Sequence, residues 1–170
     1  RRIFQTVQWK IVIIYISLIL IAMQVIGIYF VRSVEQSFID NFTEALNAQA
    51  DSLAFSVEPY LTQEQEGDDE RAVHDNIGEL MQSFLTLSNA GAQVIDQNGI
   101  IVGGSESEEH LIGQKNVQLE VNRALLGSRA NNIRSDSITG QRIMVLAVPV
   151  VGTENQVLGA VYLHASMQEM

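Results

Sequence analysis

Hydrophobic and polar positions along the chain fall into three regimes, and the changes between them outline the elements. Residues 11–31, IVIIYISLILIAMQVIGIYFV, are apolar without an intervening charge. At about 1.5 Å rise per helical residue, such a run covers roughly the 30 Å of a bilayer's hydrocarbon core. From Val34 onward apolar residues recur at helical spacing through Phe38, Phe42, Leu46, Leu53, Val57 and Leu61, with no Gly or Pro between Ile28 and Glu58. The pattern predicts that the apolar helix continues outward as a second, amphipathic stretch. Pro59 should end or kink it, because it has no N–H to donate and crowds the preceding turn.

The stretch 62–69, TQEQEGDD, reads as an exposed acidic connector. A second helix follows with Val73, Ile77, Leu80, Met81, Phe84 and Leu85 on one face, capped by Asp68 or Asp69 and ended by Asn89 and Gly91. Beyond Gly91 the period changes to that of strands. Runs at 92–96 and 100–103 flank Gln97-Asn98-Gly99, a hairpin signal in which Asp96 shapes the turn. A polar loop at 104–110 leads to a short helix at 117–126 closed by Gly127. Strands at 131–136, 142–150 and 157–165 complete the series. The order predicts an α+β domain with a five-stranded antiparallel sheet. Because the last two strands are apolar at odd and even positions alike, both sheet faces must be covered. The outer helix is expected on one face. The 104 loop, the Asn116 region and the short helix roof the other, where a small ligand could be enclosed.

Charge orients this arrangement. Arg1, Arg2 and Lys10 precede the apolar run, whereas all 20 acidic residues lie beyond Arg32, so basic-residue bias places residues 1–10 in the cytoplasm, 11–31 in the membrane and 32–165 outside. Trp9, Tyr15, Tyr29 and Phe30 sit near the two interfaces. A cleaved signal peptide fits less well, since the apolar run is long and no small-x-small pattern follows Val31. The acidic exterior repels nucleic acid and anionic headgroups. With no cysteine, the domain must be held by packing alone. The chain starts without Met and stops in mid-pattern, as expected for a piece of something longer.

Candidate chemistry is sparse. Ser17, Leu20, Gln24, Gly27 and Val31 share one face of the membrane run at alternating spacings of three and four, a combination suited to helix–helix contact with a dimer mate, a second span or another membrane protein. Tyr162 and His164 lie on one face of the last strand and, with Arg142 on its neighbour, are the candidate lining of a ligand pocket. His74, His110 and His164 match no metal-ligand spacing, so no metal is expected. Glu106, Glu108 and Glu109 beside His110 read as a solvated loop. No catalytic motif is present, and no enzymatic activity is expected within these residues.

The stretch WKIVIIYISLILIAMQVIGIYFVRSVEQSFIDNF resembles the first transmembrane segment and outer helix of the WalK (YycG) sensor histidine kinases of Gram-positive bacteria. Downstream, VIDQNGIIVGGS, LIGQ, ALLG and VLAVPVVGTENQVLGAVYL resemble a single Cache (PAS-like) sensor domain, so that together the resemblance covers 9–165. It implies the input part of a homodimeric two-span kinase regulating cell-wall metabolism, with 166–170 opening a helix toward an absent second span. The implied partners are regulators of the YycH/YycI type and a cognate response regulator. ATP and Mg belong to the absent kinase domain, leaving no cofactor in this fragment. Alternative readings are a Cache input domain of a chemoreceptor or cyclic-dinucleotide enzyme, or a single-pass interaction protein.

Overall fold

The computed structural model describes residues 7–65, 70–85 and 90–167. Its elements run α1 (Val7–Gln65), α2 (Glu70–Leu85), β1 (Ala90–Asp96), β2 (Ile101–Gly104), a 3₁₀ turn (Glu106–Leu111), α3 (Leu119–Leu125), β3 (Ala130–Ser135), β4 (Arg142–Val151) and β5 (Val157–Ser166). The chain divides into two units, Arg1–Glu44 and Ala45–Met170. In the first, α1 carries exposed apolar side chains on every side, and among the described residues it is the one helix long and apolar enough to cross a membrane. A helix apolar all round is stable only when lipid or other helices surround it.

In the second unit the remainder of α1 buries Leu46, Ala50, Leu53, Val57 and Leu61, one residue per turn. The helix does not end at Pro59 but runs through it to Gln65. Val57 and Leu61 lie on either side of the proline and are almost wholly buried. Their packing outweighs the single backbone hydrogen bond that Pro59 cannot donate. Of the acidic connector, 66–69 lie outside the described residues, together with the cap candidates Asp68 and Asp69. So do Asn89, the side chains of Val73, Phe84 and Leu85, the N-terminal Arg1 and Arg2, and 168–170. In α2, Ile77 and Met81 are fully buried.

The sheet is antiparallel throughout in the order β2-β1-β5-β4-β3. Register pairs Gln93 with Tyr162, Tyr162 with Ala147 and Ala147 with Ala130, so these side chains share one face. Val94, Val161 and Val148 share the other. The valine face receives α1 and α2. A Cβ on Gly103 would strike Ile77, and one on Gly159 would come within 3.1 Å of Leu61. The opposite face packs Ile95, Val145, Ala147, Ala160 and Tyr162 against Val121 and Ala124 of α3. Both faces of β4 and β5 are therefore covered, which is why their residues are buried at odd and even positions.

Element bounds differ from the sequence reading in three informative places. Gly91 is not a helix stop but the second residue of β1, where the imidazole of His164 occupies the space a Cβ would need. The 104–110 loop is partly ordered, Gly104 closing β2 and Glu106–Leu111 winding as a 3₁₀ turn. The short helix begins at Leu119, because Gln118 is extended (φ −63°, ψ 143°).

The β1–β2 hairpin is built as its sequence suggested. The Asp96 carboxylate accepts from the backbone N–H of Asn98 and of Ile100, each at 2.8 Å, and Gly99 adopts φ 84°. Asp96→Ala is expected to destabilise the second unit by about 1–2 kcal/mol, since two backbone donors lose their acceptor. Urea unfolding with an unchanged slope and a lowered midpoint would register the loss.

Candidate ligand pocket

On the face toward α3 the sheet leaves a cavity of about 400 Å³. Strand alternation sets its floor, with Val145 from β4 and Tyr162 and His164 from β5 pointing the same way. Glu108 and Leu111 of the 3₁₀ turn form the roof. Gln118 and Arg134 close one side, and the β3–β4 turn lies at the mouth.

A chain of hydrogen bonds crosses this site. His164 Nε2 lies 2.8 Å from Glu108 Oε1, and Glu108 Oε2 accepts from Gln93 Nε2 at 2.6 Å. Gln93 Oε1 in turn accepts from Asn116 Nδ2 at 2.8 Å, and Asn116 Oδ1 from the Gln118 backbone N–H at 3.0 Å. Arg134 donates to Gln118 Oε1 at 2.5 Å and pairs with Glu120, whose other oxygen accepts from Asn132 at 3.2 Å. Among the described residues no buried side-chain nitrogen or oxygen lacks a partner. Such closure is what makes a buried polar network favourable.

Charge at the site is well defined. Burial alone would raise the Glu120 carboxyl, but the hydrogen bonds from Arg134, its own backbone N–H and Asn132, with the Arg134 charge, hold it below its ordinary value. Asp136, at the mouth, is held low by the backbone N–H groups of Ile138 and Thr139. Burial raises the Tyr162 phenol, against the pull of Arg134, so it stays protonated at neutral pH. The cavity thus offers a phenol, an imidazole, amides and a partnered guanidinium between apolar Val145 in the floor and Leu111 in the roof, a surface suited to recognising a small polar molecule.

The sequence-derived candidates divide on the structure. Tyr162 and His164 stand together, ring centroids 6.1 Å apart. Arg142 does not join them. Since Ala147 pairs with Tyr162, odd-numbered residues of β4 face the cavity, and Arg142 lies with Met144 on the opposite alternation, exposed and paired in register with Ser135. The arginine at the cavity is Arg134 of β3. Its selection depends on the β3–β4 register, which the polar run NNIRS does not encode by hydropathy. Glu108 is likewise not a solvated loop residue. Gln93, overlooked in the sequence, carried a usable signal, being a lone amide within the small and apolar run AGAQVI. His74 lines a separate hollow beside Glu79 and Glu109, and among the described residues no cluster of three metal-ligating side chains occurs. Ser17, Leu20, Gln24, Gly27 and Val31 all lie exposed on α1 in the first unit, with nothing within 4 Å of a Cβ placed on Gly27.

Comparison with known proteins agrees with this fold. The chain is 32% identical over 173 residues to a sensor histidine kinase WalK of Bacillus subtilis and 29% identical to the sensor protein kinase WalK of Staphylococcus aureus strain JH9. Each alignment takes in 98% of this chain and 27% of the relative. The chain therefore spans about a quarter of the length of these curated relatives. Among solved structures, the sensory domain of the Campylobacter jejuni chemoreceptor Tlp3 with isoleucine bound superposes with TM-score 0.62 at 16% identity, covering 79% of this chain and 56% of that one. The sensor domain of the Vibrio cholerae histidine kinase DctB superposes with TM-score 0.54 at 17% identity, covering 79% and 55%. At such identities the likeness establishes the fold alone. The family model of the WalK sensor protein kinase Cache domain matches residues 76–165, more than half of the chain, and the chain belongs to that family.

Proposed function

We propose that this chain is the membrane-anchored sensory input of a two-component histidine kinase, and that the cavity beside Tyr162 and His164 receives its signal. The observation that carries the reading is a partly enclosed pocket on a Cache sheet, lined by Tyr162 and by the hydrogen-bonded His164, Glu108 and Gln93. Residues 1–10 lie in the cytoplasm, 11–31 cross the membrane, and 32–165 form the extracytoplasmic sensor. Ser166 closes β5, where the resemblance implied the start of a helix, and the chain after it leads toward a second span. Retention of the basic residues Arg1, Arg2 and Lys10 on the inner side supports this orientation. The working protein is a homodimer whose kinase part takes ATP and Mg and phosphorylates a response regulator governing wall metabolism. Regulators of the YycH/YycI type are candidate contacts of the Gln24 face.

A thermal-shift screen of residues 33–170 against small wall fragments tests the pocket. A fragment present well above its dissociation constant is expected to raise Tm by about 5 °C. Ser137→Trp, at the exposed β3–β4 turn that lines the cavity, should abolish the shift while leaving the unliganded Tm within about 1 °C, as surface substitutions generally do. A folded domain whose Tm no fragment moves would count against a pocket for such ligands.

A further inference from the structure

We propose that the cavity beside Tyr162 selects an uncharged molecule bearing hydroxyl or amide groups, of the class of a neutral sugar, and rejects carboxylates, phosphates and ammonium compounds. The proposal rests on the reading of this cavity as the site that receives the sensor's signal, and adds to it the chemistry of the ligand.

The groups left unengaged at the cavity are neutral. Tyr162 is only 5% exposed, and its hydroxyl makes no hydrogen bond among the described residues. Every side-chain oxygen sealed from solvent has a partner there, so this hydroxyl is not sealed but opens onto the cavity that Tyr162 lines. Burial keeps the phenol protonated, and it can therefore both donate and accept. The amide nitrogen of Gln118 is likewise unengaged among the described residues, since only the amide oxygen is taken, by Arg134. The hydroxyls of Ser135 and Ser137 stand at the mouth. A ligand hydroxyl or amide would pair with the phenol, whereas an analogue without one would leave it unpaired, which is how a site of this kind discriminates.

The charges at the cavity, by contrast, are already answered. Arg134 pairs with Glu120 and donates to Gln118. Both oxygens of Glu108 are occupied, one by His164 and the other by Gln93. Both oxygens of Glu120 are occupied too, by Arg134 and Asn132. A carboxylate or phosphate ligand would meet one guanidinium that is already neutralised, with Glu108, Glu120 and Asp136 nearby. These carboxylates outnumber Arg134 and His164 together, whether or not the imidazole is protonated. An ammonium ligand would find no buried carboxylate oxygen free of a native partner. Asp136 lies at the mouth, where its carboxylate holds the turn through the backbone N–H groups of Ile138 and Thr139, and a charge pair so exposed is worth little. Taking an unanswered charge out of water is the costliest step open to a ligand here, and an uncharged molecule avoids it.

N-acetylglucosamine, glucosamine and N-acetylmuramic acid share one sugar ring and differ in charge, being neutral, cationic and anionic at pH 6. Titrated into the full-length protein in lipid nanodiscs and followed by ligand-detected NMR, N-acetylglucosamine is expected to bind about tenfold or more tightly than either charged relative or the zwitterion L-isoleucine. Tyr162→Phe should weaken its binding about tenfold. The same variant should leave the unliganded Tm within about 1 °C, since the lost hydroxyl has no partner in the chain. Equal or tighter binding of a charged probe, unchanged binding or a Tm lowered by several degrees in Tyr162→Phe, or binding that survives Ser137→Trp would each overturn the proposal. A charged probe whose binding Ser137→Trp abolishes refutes the ligand class alone and leaves the cavity as the sensor's site. Binding by none of the four probes also overturns the ligand class, and phosphate transfer from ATP in the same nanodiscs tests the sensor-kinase reading separately.

Discussion

Gly159→Ala is expected to destabilise the second unit by about 3 kcal/mol, near the upper end of what overpacking one methyl costs. A Cβ at this position would run into the carbonyl oxygen of Ile95 and approach the Ile95 carbonyl carbon at 3.2 Å and Leu61 Cδ1 at 3.1 Å. The leucine can shift but the carbonyl cannot do so cheaply. β1 is hydrogen-bonded to β2 on one side and β5 on the other, so moving Ile95 disturbs two ladders at once. The need for glycine here is one of space, since Gly159 is not among the positive-φ residues. Gly127 supplies the contrast. It adopts φ 88°, yet its nearest neighbour is Val157 Cγ2 at an ordinary 3.7 Å, so Gly127→Ala should cost only about 1 kcal/mol of backbone strain. Thermal unfolding of residues 33–170 should separate the two, with Tm lowered by about 10 °C for Gly159→Ala and by about 3–4 °C for Gly127→Ala. Similar losses for both would mean that β5 does not approach β1 this closely.

What the residue pattern revealed and what it hid differ by the range of the interaction involved. The hairpin at Asp96 and Gly99, the apolar run at 11–31 and the two-faced burial of β4 and β5 all follow from neighbours a few residues apart, and each appears in the structure. Pro59 is a local breaker overruled by a distant partner, because burial of Val57 and Leu61 on the sheet holds the helix together on both sides of it. Gly91 read as punctuation for the helix before it, whereas its role is to leave room for His164, 73 positions along the chain. The pocket follows the same division. Tyr162 and His164 were legible because they share one strand and a two-residue spacing. Which arginine reaches the cavity, Arg134 and not Arg142, depends on parity between strands, and a slip of one residue exchanges the faces. Glu108 was hidden because a run of acidic residues in a loop gives no indication of which one turns inward. It is Glu108 that meets both Gln93 and His164.

Arg134→Met should carry the second large effect, a loss of about 2 kcal/mol at pH 7 that shrinks on acidification. The side chain of Glu120 is only 4% exposed, and Arg134, at 40%, is its counter-ion. Removing one partner of a buried pair leaves an uncompensated charge, which costs about 3–5 kcal/mol in full burial, and the partial exposure of Arg134 reduces that figure. The pH dependence has a definite sign. In the native protein the Glu120 carboxyl is held below its ordinary value of 4.5, so its pairing stabilises fully above that value and is lost as pH falls through the lower, folded-state value. In Arg134→Met the hydrogen bond and the charge that lower it are gone while the burial that raises it remains. Glu120 then takes up a proton at higher pH than in the native protein, and the variant recovers stability where the native protein begins to lose it. The difference between the two urea midpoints should therefore be largest near pH 7 and fall by more than half by pH 4. Arg134→Met combined with Glu120→Leu, which removes both charges and leaves apolar side chains, should restore most of the pH 7 loss and abolish the pH dependence of the difference. A deficit for Arg134→Met that stays constant from pH 7 to pH 4 would mean that Arg134 acts through its contact with Gln118 and not through the Glu120 charge.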